Sequence, residues 1–235
     1  MISENTNALW FVRVVCLLCI GSIWVGLLSW SGKKELDHDE FQHAHASWLM
    51  YKGQQPYSDF FEHHPAYYWN FLGLYYDAHG EDLGIFAWGR KWMLITFAGS
   101  IFFLYLLGRE LMGEVTGLLA ALLFATNRLG NYPAMMMRAD GWMLFFLLAG
   151  SFVYLRAWNR SFRWHDALLS GALLGLSFGF LPKGGFTILG LALLTAHQCT
   201  WKTGWGIVWR RKVPLLIFAG ISFVPILLPF FIYGT

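Results

Sequence analysis

Seven apolar runs, most of them long enough to cross a bilayer, divide the chain, and polar segments separate them. A transmembrane helix needs about 20 predominantly apolar residues. The pattern therefore predicts an all-α, polytopic transmembrane bundle that forms one domain over residues 1–235. The third run is short, and the fifth and sixth meet at Pro182-Lys183-Gly184-Gly185, so they form a helical hairpin or one broken helix. The predicted spans are residues 9–30, 84–107, 115–128, 139–157, 166–182, 184–200 and 213–233.

The segment between the first two spans, residues 31–83, has a different pattern. Apolar residues recur at spacings of three and four over residues 39–52, which predicts an amphipathic helix lying on the membrane surface. Pro65 suits the first turn of a second, aromatic helix over residues 65–78. We therefore expect interfacial helices in this first long loop.

Composition supports a membrane protein and excludes a nucleic-acid partner. Hydrophobic residues make up 57% of the chain and charged residues only 13%, which is about half the charged share of a soluble domain. The formal net charge is +3, and no run of lysine and arginine suits nucleic acid.

The distribution of basic residues predicts which way the chain crosses the membrane. Arginine and lysine concentrate in residues 156–165 and 201–212, and seven spans place both segments on the side of the N-terminus. The positive-inside rule makes that side cytoplasmic, so the loop 31–83 faces outward. Topology then gathers six ionisable residues on the outer side: Asp39, Glu62, His63, Arg138, Asp140 and Lys183.

Three stretches carry a family resemblance, and they occur in the expected order. They are DHDEFQHAHASWLMYKGQQPYSDFFEHHPAYYW at 37–69, MRAD at 137–140 and GLSFGFLPKGGF at 175–186. The chain resembles the GT-C membrane glycosyltransferases, in the branch that holds the protein O-mannosyltransferases and the lipid A aminoarabinose transferase. Members of that branch are usually longer and carry additional C-terminal spans, so the resemblance implies that this chain is an N-terminal portion.

The resemblance implies an inverting transferase that uses a sugar linked to polyprenyl phosphate. The acceptor would be a hydroxyl of a lipid, a glycan or a protein on the non-cytoplasmic face, with the bacterial inner or plasma membrane as the location. Nucleotide sugars are cytoplasmic, so an outward-facing site needs a donor that the membrane itself delivers. Inversion requires one carboxylate to take the proton from the attacking hydroxyl, and positive charge to stabilise the departing phosphate.

The resemblance assigns catalytic roles to three acidic residues. Asp39 matches the catalytic aspartate of the family in position, which implies the role of general base, and Glu40 follows it as in the family motif. Glu62 matches a second acidic position that helps to form the site. The alternative is a solvated acidic loop. Carboxylates beside a bilayer are costly to desolvate, which favours a functional site.

Donor-phosphate binding is implied for His63, Arg138 and Lys183, and a second acidic site for Asp140. His63 is a departure from the family, because the aminoarabinose transferase has a lysine there that meets the lipid phosphate. Asp140 enters the fourth span, with Arg138 as its expected partner; a helix N-cap with a local ion pair is the alternative. Lys183 could instead reach the outer headgroups without binding a donor.

A divalent cation is the cofactor that the sequence leaves open. Five of the eight histidines lie at positions 38–64, and the candidate ligands are Asp39, His43, Glu62 and His63. No HxxxH or HExxH signature is present. Two other classes of function compete with the transferase: a transporter or flippase, and a metal-handling membrane protein built on the histidine-rich loop.

Overall fold

A computed structural model describes residues 6–160 and 163–201, together with eight residues of the last segment (217, 220–222, 224, 225, 227 and 228). These residues form α-helices and one 3-10 turn, and no β-strand occurs among them. The all-α fold is therefore confirmed for the part of the chain that is described. The helices are α1 (Thr6–Ser31), α2 (His38–Tyr51), α3 (Tyr67–His79), α4 (Gly84–Met112), α5 (Glu114–Thr126), α6 (Arg128–Asn131), α7 (Ala139–Arg160), α8 (Trp164–Phe180) and α9 (Gly184–Trp201), with the 3-10 turn at Pro133–Met135.

Three of these helices are long and apolar enough to cross a membrane: Leu9–Ser31, Gly84–Met112 and Ala139–Arg160. Two further apolar stretches, Glu114–Thr126 and Gly184–Leu194, are shorter. These helices support an integral membrane protein, whereas the number of seven crossings stays a prediction. The seventh predicted span, 213–233, lies largely outside the described residues.

Helix α4 lies at the centre of the bundle, because it packs against both α5 and α7, and α7 packs in turn against α8. Glycines bring α4 and α5 to backbone contact. A Cβ on Gly108 would lie 2.8 Å from the Cα of Gly117, and a Cβ on Gly117 would lie 2.5 Å from the carbonyl oxygen of Tyr105. Small residues of this kind allow helices in a bilayer to approach closely, where no hydrophobic force draws them together.

Helices α2 and α3 pack against each other. Their bounds lie close to those of the two interfacial helices that the sequence predicts. Ser47 Oγ donates a hydrogen bond of 2.9 Å to the carbonyl of Trp69, and the Tyr76 hydroxyl donates one of 3.2 Å to the carbonyl of Ala44. Trp69 is completely buried between the two helices. This pair of helices therefore forms a rigid unit, and its position on the membrane surface stays a prediction.

A cluster of aromatic rings joins the α2–α3 unit to the long helices. Phe71 of α3 lies 4.7 Å from Trp142 of α7 and 4.9 Å from Trp88 of α4, measured between ring centroids. Trp142 in turn stacks on Phe180 at the end of α8, with centroids 5.6 Å apart. The unit is thus held against the ends of α4, α7 and α8, where the candidate site lies.

Candidate functional site

A buried ion pair between Glu40 and Arg90 fixes the start of α2. The side chain of Glu40 is 0% exposed and that of Arg90 is 7% exposed. Arg90 Nε and Nη2 donate to the two carboxylate oxygens at 2.8 and 2.7 Å, and the backbone N–H groups of Met137 and Asp37 donate at 2.7 and 2.9 Å. The other Arg90 hydrogen bonds go to the carbonyl oxygens of Ser31, Lys34 and Glu35. Both charges are therefore fully hydrogen-bonded, as burial requires.

The four hydrogen bonds also keep Glu40 charged. Burial alone would raise the pKa of this carboxyl group, but the hydrogen bonds from Arg90, Met137 and Asp37 outweigh it, and the net pKa is lowered. A carboxylate in this state accepts hydrogen bonds from the protein through both oxygens and has no exposed surface. This geometry supports a role in holding α2 in place.

Asp39, one residue earlier, is not part of this pair and joins a partly exposed group of charges. Arg138 Nη2 pairs with Asp39 Oδ2, and Arg138 Nε lies 3.5 Å from Asp140 Oδ2. Lys183 Nζ lies 3.4 Å from Asp140 Oδ1. We call Asp39, Arg138, Asp140 and Lys183 the ion cluster. The Asp39 and Asp140 side chains are 35% and 32% exposed, so both remain accessible to a ligand.

Glu62 and His63 lie on the opposite side of α2 from the buried pair. Gln42 Nε2 donates a hydrogen bond of 2.6 Å to Glu62 Oε1, and the backbone N–H of His63 donates one of 2.9 Å to the same oxygen. The side chain of Glu62 is 9% exposed, whereas that of His63 is 63% exposed. Glu62 is thus held by the protein, and the His63 ring is exposed although its Nδ1 lies 3.0 Å from Glu62 Oε1.

His64 connects these residues electrostatically to the ion cluster. Burial and the neighbouring His63 lower the pKa of His64, while the charges of Glu62, Asp140 and Asp39 act in the opposite direction. A charge influences a pKa in this way only at short range. The charges of Glu62, Asp140 and Asp39 thus act on the same ring, which supports a common region for the residues that the sequence predicts on one side of the membrane.

His43 is a buried, neutral imidazole next to His64, and a hydrogen bond from Trp69 fixes the orientation of its ring. Trp69 Nε1–H donates to His43 Nδ1 at 3.2 Å, so the ring proton resides on Nε2. Burial, and then the neighbouring His64, lower the pKa of His43 to about 4. Its ring lies 5.3 Å from the His64 ring and 5.0 Å from the Tyr68 ring, between centroids.

This hydrogen bond bears on the divalent cation that the sequence leaves open. A neutral histidine that binds a metal through Nε2 carries its proton on Nδ1, and that proton would point at the Trp69 N–H. His43 as placed therefore does not fit the role of a ligand. Among the described residues, no group of three or more histidine, cysteine or acidic side chains is arranged to hold a metal ion. The cation stays an untested prediction, and no step below depends on it.

Two buried polar atoms near the site have no hydrogen-bond partner among the described residues: the Tyr68 hydroxyl and Trp142 Nε1. Tyr68 is 1% exposed. Burial, followed by the negative charges of Glu40 and Asp140, raises its pKa well above the ordinary value. Buried polar groups are nearly always paired, so each of these two atoms is a candidate for contact with a bound ligand or water.

A cavity of about 400 Å³ opens beside the ion cluster, between α4, the α5–α6 region and α7. Two of the four residues of the ion cluster, Arg138 and Asp140, lie among its lining residues. Most of the remaining wall is apolar, with Ser100 and Asn127 as polar exceptions. The apolar side chains are Met93, Phe97, Phe124, Leu129, Pro133, Ala134, Met143 and Leu144. A ligand with an anionic head and a hydrocarbon tail suits such a combination.

Sequence reasoning missed Arg90 and Tyr68. The signal for Arg90 was present, because an arginine near the start of a predicted span needs a buried partner. Tyr68 stands in a run of aromatic residues that gives no reason to separate it from its neighbours. Only the three-dimensional packing shows that its hydroxyl is buried without a partner.

Comparison with known families adds to this geometry. The family model described as dolichyl-phosphate-mannose-protein mannosyltransferase matches residues 89–233, more than half of the chain. The match and the membrane-length helices define the class of protein as a membrane glycosyltransferase. The chain belongs to the dolichyl-phosphate-mannose-protein mannosyltransferase family. No curated protein and no solved structure shows a significant match to it.

The matched range contains Arg138, Asp140 and Lys183 and begins after Asp39 and Glu62. The family membership that the sequence implies is thus confirmed by a match that includes these three residues. The roles implied for residues 37–69 and for Arg138, Asp140 and Lys183 stay predictions, which the ion cluster supports through the contact between Asp39 and Arg138.

Proposed function

We propose that this chain transfers a sugar from a polyprenyl-phosphate donor to an acceptor hydroxyl with inversion at the anomeric carbon. The observation that carries the proposal is the ion cluster, of which Arg138 and Asp140 line the apolar cavity. It combines a carboxylate for the acceptor proton, cations for the phosphate and an apolar volume for the first part of a prenyl chain.

Asp39 acts as the general base in this proposal. The acceptor oxygen attacks the anomeric carbon, the bond from that carbon to the phosphate oxygen breaks, and the hydroxyl proton moves to the Asp39 carboxylate. The electron pair of the broken bond leaves with the polyprenyl phosphate. A single displacement of this kind inverts the anomeric carbon and requires one carboxylate, which has to be accessible to the acceptor. Asp39 meets that condition and Glu40, which is completely buried, does not.

Arg138 and Lys183 stabilise the departing phosphate. Both cations already lie against carboxylates, so they are held in place before the donor binds. Preorganised positive charge of this kind lowers the barrier because it costs no rearrangement during the reaction. The exposed His63 is available as a further donor to the phosphate, and Glu62 keeps the His63 backbone in position. Glu40 serves as a positioning residue for Asp39.

The test is sugar transfer by the purified full chain in lipid nanodiscs. The probes are polyprenyl-phosphate-linked mannose and aminoarabinose, each radiolabelled in the sugar, with the corresponding nucleotide sugar in a parallel reaction. We expect label to leave the lipid donor and polyprenyl phosphate to accumulate, and no transfer from the nucleotide sugar. Transfer from the nucleotide sugar alone would contradict the proposal. Movement of intact donor across the bilayer without loss of sugar would favour the flippase.

The unpartnered hydroxyl of Tyr68 gives a test that separates chemistry from folding. Tyr68→Phe removes a buried hydroxyl that makes no hydrogen bond within the described residues. We expect no loss in the free energy of unfolding, because no protein hydrogen bond is removed. Transfer should fall about fivefold if the hydroxyl contacts the substrate, since one hydrogen bond is worth about 1 kcal/mol.

Tyr76→Phe is the matched control for this experiment. It removes the same atom, but here the hydroxyl donates to the carbonyl of Ala44. We expect a loss of about 1 kcal/mol in unfolding free energy and unchanged transfer per folded molecule. Thermal unfolding in detergent and initial transfer rates measure the two effects. Unchanged transfer by Tyr68→Phe would remove Tyr68 from the site.

A further inference from the structure

The end of α7 that lies far from the ion cluster carries a second group of charges. Helix α7 has 22 residues, which at 1.5 Å per residue gives a length of roughly 33 Å. That length is close to the hydrocarbon thickness of a bilayer, about 30 Å. Asp140 lies in the first turn of the helix and Arg160 in the last. The two charged groups therefore lie at opposite faces of the membrane if α7 crosses it.

This second group lines a pocket of about 370 Å³ between the end of α7 and the start of α8. We call it the arginine pocket, because three arginines and one carboxylate line it: Arg156, Arg160, Arg163 and Asp166. The rest of the wall is apolar and includes Leu169, which is 53% exposed. The pocket thus combines cationic side chains with an apolar, partly exposed wall.

The arginines of this pocket are not neutralised by the described part of the chain. No salt bridge within 4.0 Å and no hydrogen bond of the three guanidinium groups occurs there. Arg156 lies over the ring of Phe152, with 5.9 Å to the centroid, which orients the side chain without cancelling its charge. Asp166 offsets one of the three positive charges, so a net positive charge remains in the pocket.

The start of α8 adds to the attraction for an anion. Arg163 is the N-cap residue, and no side chain caps the first N–H groups of the helix. Uncapped N–H groups at a helix start carry partial positive charge and point toward an anion placed there. Arg163 also lines the arginine pocket, so these groups and the guanidinium groups lie in the same region.

We propose that the arginine pocket binds the phosphate of an anionic phospholipid, with an acyl chain lying against Val153 and Leu169. Basic pockets between membrane helices at the membrane surface bind such headgroups. The apolar wall and the location at the end of a membrane-length helix favour a lipid over a free phosphate ion. This site is separate from the ion cluster and does not depend on the proposed transfer reaction.

The experiment uses the detergent-purified full chain and native mass spectrometry to measure bound phosphatidylglycerol. Phosphatidylcholine and millimolar inorganic phosphate are the two comparison ligands. We expect phosphatidylglycerol to bind more tightly than phosphatidylcholine and inorganic phosphate not to displace it. Arg160→Gln should weaken binding about fivefold, and replacement of all three arginines should weaken it on the order of 100-fold, from about 1 kcal/mol per cation.

Arg109→Gln is the matched control, because it removes the same charge from an exposed position outside the arginine pocket. We expect it to leave lipid affinity unchanged. Arg160 is also exposed, so Arg160→Gln tests the site even if the triple variant does not fold. Equal affinity of wild type and Arg160→Gln would overturn the proposal. So would equal binding of the two phospholipids, or displacement of phosphatidylglycerol by inorganic phosphate.

Discussion

Asp39→Asn is expected to abolish sugar transfer while the protein stays folded in the membrane. Asparagine preserves the volume of the side chain but cannot take a proton from the acceptor. Loss of a general base lowers a rate by about 10²- to 10⁴-fold. Asp39 is 35% exposed, and partly exposed ion pairs contribute little to stability, so folding should survive the loss of its contact with Arg138.

The measurement is the initial rate of transfer at saturating donor, together with the thermal unfolding midpoint in detergent. Asp77→Asn is the matched control, since it makes the same change at an exposed position of α3 outside the site. We expect Asp77→Asn to behave as wild type in both measurements. Undiminished transfer by Asp39→Asn would show that another group takes the proton.

Glu40→Gln is expected to lower the free energy of unfolding more than it lowers the rate of transfer. The change leaves Arg90 buried with no opposite charge beside it, because its side chain is only 7% exposed. Removal of one partner from a buried ion pair costs about 3–5 kcal/mol. The free energy of unfolding in detergent measures this loss, and transfer per folded molecule should fall much less.

Glu81→Gln is the control for this experiment. Glu81 pairs with Lys52 at the surface, so the same chemical change there should scarcely alter stability. If Glu40→Gln is as stable as Glu81→Gln yet inactive, Glu40 has the catalytic role that the family resemblance implies. That outcome would contradict the positioning role proposed for this residue.

The same comparison has a defined pH dependence. Because the pKa of Glu40 is lowered in the folded state, its contribution is fully present above the ordinary value of 4.5. It is lost as the pH falls through the lower pKa of the folded state. The difference in unfolding free energy between wild type and Glu40→Gln should therefore shrink on acidification below that value.

Sequence patterning predicts the long helices well because membrane length and apolarity are local properties. The runs at 9–30, 84–107 and 139–157 correspond to α1, α4 and α7. The run at 115–128 corresponds to α5, which has only 13 residues and is shorter than a bilayer requires. Whether such a helix crosses depends on its neighbours, so a count of spans does not follow from composition.

The site is predictable as a set of residues but not as a set of contacts. Loop charge alone predicts that Asp39, Arg138 and Lys183 lie on one side of the membrane, because basic residues indicate the orientation of the spans. Which carboxylate is buried and which is accessible depends on the rotation of α2. The period of a helix does not reveal this rotation, since both Asp39 and Glu40 lie in its first turn. The position of Arg90 on α4 decides it.

Two neighbouring residues at the start of α2, Asp39 and Glu40, contact two neighbouring residues just before α7, Arg138 and Met137. Glu40 accepts from the backbone of Met137, and Asp39 pairs with the side chain of Arg138. A roll of α2 large enough to redirect Asp39 would pull Glu40 away from Met137 and Arg90. Asp39 is therefore fixed relative to the segment that leads into α7, so a ligand that binds beside it must adjust to a stationary carboxylate.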